Sequence, residues 1–204
     1  MRDQLIEVAI AKFGRCGFDG VGTREIAASV GTPMSSITYH FGGKEGLYRA
    51  AAEHIFEFLH EHVAPRMDDL PTHDATPEQR VEIICKVLRR IGTFMLSEDS
   101  APFALFIGRE QQDPSPDVIE LMREWIMPMI SALVAQVHVV RPDLDENQAK
   151  ATSLYLFGMA VTLRHSRASI RLLLDEEDLS PASQTMLLDQ LQANARFVLE
   201  GGGS

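Results

Sequence analysis

From Leu5 to Val198 the apolar residues of this chain recur at spacings of three and four, and nowhere do they sustain an every-second-residue alternation. That period commits the chain to helices and leaves almost nothing to build a sheet from. Leu5, Ile6, Ala9, Ile10 and Phe13 form one apolar stripe, the width a helix needs to bury one side. Gly14 and Gly17 mark its end, and "GFDGVG" reads as a turn. Thr23 reads as the N-cap of a short second helix that points Ile26, Ala27 and Val30 inward and stops at Gly31; Ile26 stands where a capping box would carry Glu or Gln. Pro33 suits the start of a third helix, which runs to about Phe41 and ends at Gly42-Gly43. Lys44 opens a long helix through Leu47, Ala51, Ile55, Phe58, Leu59 and Val63, ended by Pro65. The stretch "PRMDDLPTHDATP" reads as a linker. Beyond it the spacing predicts five further helices, at about 77–97, 101–112, 115–138, 145–168 and 181–200, with a kink at Pro128.

The expected architecture is therefore all-α, with about nine helices. With 204 residues, 45% of them hydrophobic and 24% charged, the chain can bury a substantial core. It has no uninterrupted apolar run of membrane-spanning length, and its first residues lack the apolar region of a secretory signal. Cys16 and Cys85 lie too far apart to suggest a disulfide framework or a metal site, so both are expected to be buried, inert thiols in a reducing, cytoplasmic setting. The net charge of −10 makes the whole chain a poor partner for a polyanion. The charge is uneven, however. Residues 1–50 hold six Lys/Arg against five acids, and no acid lies between Ile26 and Lys44.

That acid-free stretch carries a second pattern. Ala27 offers a small residue where two helices cross, Gly31 follows four residues on, and Ile37 returns an apolar anchor six residues later. Ala-x3-Gly-x5-Ile is the spacing of a helix-turn-helix. With Ile37 and Phe41 inward, helix geometry turns Met34, Ser35, Ser36, Thr38, Tyr39 and His40 to the sides and to solvent. Hydroxyls suit phosphate oxygens, and Met and Thr methyls suit the thymine methyl. Lys44 and Thr23-Arg24 stand at the starts of the flanking helices, where free backbone N–H groups also favour phosphate. The candidate DNA-contacting set is Thr23, Arg24, Thr32, Pro33, Met34, Ser35, Ser36, Thr38, Tyr39, His40 and Lys44.

"TREIAASVGTPMSSITYHFGGKEGLYRAA" resembles the N-terminal motif of the TetR family of bacterial transcriptional regulators: Thr-x-x-x-Ile-Ala before a glycine, then Tyr-x-Phe-x-x-Lys-Glu-x-Leu. The resemblance implies a homodimer with an N-terminal three-helix domain that binds operator DNA and a larger helical domain that binds an effector. On that reading residues 1–48 bind DNA, 49–200 bind effector and dimerise, and 201–204 are a flexible tail. Thr38 departs from the family pattern, which often has tyrosine there; phosphate reach then falls to Tyr39 or Thr32. "ITYHFGGKEGLY" with "FALFIGREQQDPSP" further resembles the CecR-like subgroup, which implies a ligand-responsive repressor without specifying the ligand.

Effector pockets in helical bundles are apolar with a few placed polar groups. Phe103, Phe106, Arg109, Trp125, Tyr155 and Met159 are the expected lining, against the plainer reading of core residues and, for Arg109–Glu110, a structural ion pair or helix end. Arg164 and His165 read either as pocket groups or as a solvated or dimer face. Leu154, Phe157, Gly158, Val161 and Ala168 make one stripe, and Leu187, Leu188, Leu191, Ala195 and Val198 another. The expected dimer contacts are Phe157, Val161, Leu187, Leu191 and Ala195. His54, Glu57 and Glu61 share a helix face, but three ligands on one straight helix converge poorly on a metal. No metal and no cofactor is expected. No nucleophile–base constellation or glycine-rich phosphate loop is legible, so an enzyme is not expected.

Overall fold

A computed structural model describes residues 1–63 and 74–202. The helices are α1 (Arg2–Cys16), α2 (Thr23–Ser29), α3 (Ser35–Phe41), α4 (Lys44–His62), α5 (Pro77–Leu96), α6 (Ser100–Gln112), α7 (Pro116–Leu121), α8 (Met127–Val140), α9 (Glu146–His165), α10 (Arg167–Leu174) and α11 (Pro181–Leu199). Among the described residues there is no strand, so the all-α expectation holds. Most of the linker expected after α4 lies outside the described residues.

The chain divides into two compact units, Met1–His62 with Asp99–Met127, and Val63–Glu98 with Pro128–Ser204. In the first unit, α1, α2, α3 and α4 bring Leu5, Ile10, Phe13, Ile26, Ile37, Leu47 and Ile55 into one core, joined by Phe106 of α6 and by Val118 and Leu121 of α7. Gly14 lets α1 and α6 touch along their backbones: a Cβ there would sit 3.1 Å from Phe106 N and 3.2 Å from Pro102 O. In the second unit, α5 packs on α9 and α11. Their crossing is possible because α5 carries Gly92 there; a Cβ would meet Leu188 and Leu191 at 2.9 Å.

Helix ends follow from local chemistry. Thr76 and Gln79 form a reciprocal capping box on α5, and Asp145 and Gln148 do the same on α9, each satisfying two otherwise orphaned backbone donors. At the other end of α5, Arg164 donates to the carbonyls of Met95 and Ser97, and Arg167 to that of Leu96. Burial beside Arg167 pulls the Arg164 pKa below its usual value. Positive charge at a helix C-terminus is electrostatically favourable.

The local sequence expectations need four corrections. Thr23 is the first helical residue of α2, not its cap; Gly22 holds that position without a side-chain bond. Pro33 precedes α3, which begins at Ser35, and its carbonyl accepts the Ser36 N–H at 3.0 Å. The single helix expected over 115–138 is α7 and α8 joined by a π turn, Met122–Ile126, immediately before Pro128. Proline has no N–H to donate and its ring crowds the carbonyl four residues back, and a wider turn relieves both. Cys16 is exposed, because it falls off the apolar stripe in the last turn of α1; only Cys85 is buried, and burial raises its thiol pKa.

Candidate nucleic-acid interface

The reading face is built on a turn that only some residues can make. Gly31 takes φ +71°, a left-handed conformation that costs glycine nothing. The turn closes with the Gly31 N–H on Ala28 O at 3.1 Å and the Thr32 N–H on Ala27 O at 3.0 Å. Gly42, at φ +76°, ends α3 in the same way, its N–H on Thr38 O.

Between those turns α3 is two-sided. Ile37 is 1% exposed, while Tyr39 is 84% and Met34 48% exposed. Pro33, Ser35, Thr38 and His40 are also exposed; Thr32 and Ser36 are half-buried, their hydroxyls 2.8 Å apart. Phe41 is half-buried. A tyrosine left in water at the middle of a seven-residue helix is not explained by packing. Thr23 is half-buried and Arg24 exposed at the start of α2. Lys44 is half-buried at the start of α4, with its ammonium 4.4 Å from the centre of the Phe18 ring.

The electrostatics favour a polyanion. Of the two acids that bracket α3 in sequence, Glu25 is paired with Lys12, and Glu45, four residues beyond Phe41, is exposed. Arg49 pairs with Glu53, Asp117 and Glu120, and Arg89, Arg141, Lys150, Arg167 and Arg196 also have carboxylate partners. Among the described residues, Arg2, Arg24 and Lys44 form no ion pair. Arg2 was not singled out by the sequence reading. Its guanidinium lies 5.5 Å from the centre of the Phe41 ring, a partner 39 positions away that periodicity alone cannot reveal.

Behind this face, α6 anchors the unit through two adjacent side chains. Arg109 donates to the carbonyls of Gly14 (2.7 Å) and Arg15 (2.6 Å). Glu110, 5% exposed, accepts from Tyr48 Oη, from the Ser115 N–H at 2.8 Å and from Ser115 Oγ at 3.1 Å. Burial, and then the Glu110 carboxylate, push the Tyr48 phenol well above its ordinary pKa. The two residues are thus bound to different partners and not to each other.

The residues expected to bind effector fall in different units. Phe106 is buried against Tyr48, with ring centres 4.8 Å apart; Phe103 packs on Phe58 and Trp125 on His60. These three and Arg109 belong to the first unit, with Phe106 and Arg109 spent on internal contacts. Tyr155, 72% exposed, and half-buried Met159 belong to the second. The second unit holds an apolar cavity of about 70 Å³ lined by Ile84, Leu88, Ile91, Met129, Leu133 and Phe157, among others. Of the expected dimer contacts, Leu191 and Ala195 are buried within the chain, while Phe157, Val161 and Leu187 are half-buried.

Comparison with known proteins decides the family. The sequence model for bacterial regulatory proteins of the tetR family matches residues 5–51, and that for the C-terminal domain of the HTH-type transcriptional dual regulator CecR matches residues 80–202. The chain belongs to the TetR family. Its C-terminal part places it with the CecR-like members. It is similar to the HTH-type transcriptional dual regulator CecR of Shigella flexneri, 35% identical over 136 residues that cover 65% of this chain and 60% of the relative. It is also similar to the biofilm operon negative regulator IcaR of Staphylococcus epidermidis, 30% identical over 52% of this chain and 57% of that one. The chain thus spans about three-fifths of the length of these relatives. In fold it matches the TetR-family regulator PfmR of Thermus thermophilus, with a TM-score of 0.68 at 14% identity over 100% of this chain and 98% of that one. It also matches AibR, solved in complex with isovaleryl coenzyme A and operator DNA, with a TM-score of 0.70 at 13% identity over 95% and 96%. The helix-turn-helix lies within the residues that the tetR-family model matches. Among the described residues, no helix is long and apolar enough to cross a membrane.

Proposed function

We propose that this TetR-family chain is an effector-responsive repressor that binds a palindromic operator as a homodimer and is released by a small molecule held in its C-terminal part. One observation carries the reading: α3 buries Ile37 and leaves Tyr39, Met34 and a row of hydroxyls facing water without an acid among them. Two such helices, about 34–36 Å apart, would enter successive major grooves. A ligand that binds one spacing of the reading heads better than the other shifts the balance by that difference in affinity and no more. Tilting of α4, which begins at Lys44, is the motion that would change the spacing. The apolar cavity between α5, α8 and α9 is the effector seat we favour; AibR, a neighbour in fold, was solved with both isovaleryl coenzyme A and operator DNA bound.

The dimer reading rests on apolar side chains that the single chain leaves uncovered: Leu154 and Tyr155 on α9, Met186 and Phe197 on α11, each between 45% and 72% exposed. Soluble monomers seldom expose such side chains in clusters. Tyr155→Asp combined with Phe197→Asp is expected to convert a dimer to monomers in sedimentation velocity with unchanged helix content; a dimer that persists would rule this face out.

Gel-shift titration of the purified chain on the DNA adjoining its own gene tests the whole reading. A sequence-selective shift that weakens steeply with salt is expected, and its absence would defeat the proposal.

A further inference from the structure

Arg2 is badly placed for its own helix. It is the first residue of α1, where the macrodipole disfavours a cation. It forms no ion pair among the described residues. Its guanidinium is instead held over the ring of Phe41, the last residue of α3. Phe41 itself keeps only partial burial, so one face of the reading helix's final ring serves as a seat for this cation. Lys44 is held in the same manner over Phe18, three residues further along the chain. Two unpaired cations pinned on aromatic rings thus flank the C-terminal end of α3. Stacking on a ring fixes a guanidinium's plane while leaving its N–H donors available.

From this geometry we infer that Arg2 is a DNA-backbone contact, a guanidinium that Phe41 orients toward a phosphate at the edge of the groove read by α3. The inference rests on the operator-binding reading above. A backbone contact supplies affinity and salt dependence but no sequence preference. Each phosphate neutralised contributes about 0.9 to the slope of log affinity against log salt. Two reading heads would therefore lose roughly 1.8 together.

The test measures affinity for the operator and for scrambled DNA across a salt series, with wild-type chain, Arg2→Ala, Arg2→Lys and Phe41→Leu. Arg2→Ala is expected to flatten the slope by roughly 1.8 and to weaken both DNAs by the same factor, leaving their ratio unchanged. Arg2→Lys should keep most of the slope. Phe41→Leu, with its helix content confirmed by circular dichroism, should lose part of the affinity with Arg2 intact. An unchanged slope in Arg2→Ala would overturn the assignment, as would a changed operator-to-scrambled ratio, which would make Arg2 a base contact. Wild-type chain that shows no selective binding at all would instead sink the regulator reading.

Discussion

Glu110→Ala lowers the stability of the first unit by about 2–4 kcal/mol. The carboxylate is 5% exposed and receives three donors, Tyr48 Oη and both the N–H and hydroxyl of Ser115. Deleting it strands all three where water enters poorly, and stranded buried donors cost more than the bonds themselves contributed. Glu110→Gln, which keeps the shape and one accepting oxygen, should lose roughly half as much. Hydrogen exchange separates this from a general weakening: amides of residues 1–62 and 99–127 should lose protection, while those of α5, α9 and α11 keep theirs. Uniform loss would show that the cluster is not local. Alkaline pH gives an independent reading. Folding raises the Tyr48 pKa above its unfolded value of 10.0, so the folded state holds the phenolic proton more tightly. The resulting stability is complete below pH 10 and drains away as pH rises beyond it. In Glu110→Ala that alkaline loss should be smaller, because one cause of the shift is gone.

Tyr39→Ala with Lys44→Ala should weaken operator binding by on the order of 10²- to 10³-fold while leaving the fold intact. Each lost phosphate or groove contact is expected to cost about 1 kcal/mol, at the low end of the range for specific contacts, and a dimer loses every contact twice. Tyr39 is 84% exposed and makes no core contact that would transmit damage. Lys44 leaves only its stacking on Phe18. Circular dichroism and thermal unfolding of the double variant should overlay the wild-type curves. Retained operator affinity in a folded double variant would mean that α3 does not read DNA.

The reading face was legible because two short-range rules coincide there. Helical periodicity assigns Ile37 to the inside, and a turn of fixed length needs Gly31 at positive φ. Neither rule looks further than about six residues. The anchors behind the face are different in kind. Arg109 finds its acceptors 94 and 95 positions away, and Tyr48 lies 62 from Glu110; a single sequence carries no record of such pairings. The plainer reading of Arg109 and Glu110, a structural ion pair or a helix end, put both in structural roles at the end of α6, where exposed Arg109 and buried Glu110 bind other partners and not each other. Helix α10 follows α9 after Ser166 alone, and its eight residues span little more than two turns, too few for periodicity to separate it from the helix expected to end at about 168. It buries no residue and leaves Leu172 and Leu173 more than 80% exposed.

The return of residues 99–127 to the first unit matters to anyone wishing to isolate the reading head. The family match ends at residue 51, yet Phe106, Val118 and Leu121 fill the same core as Phe13, Ile55 and Phe56. A gene fragment cut near that boundary would shed part of its own interior and be expected to aggregate. A spliced polypeptide, fusing position 62 to position 99 through a short glycine-rich bridge, is the smallest version that keeps the interior whole.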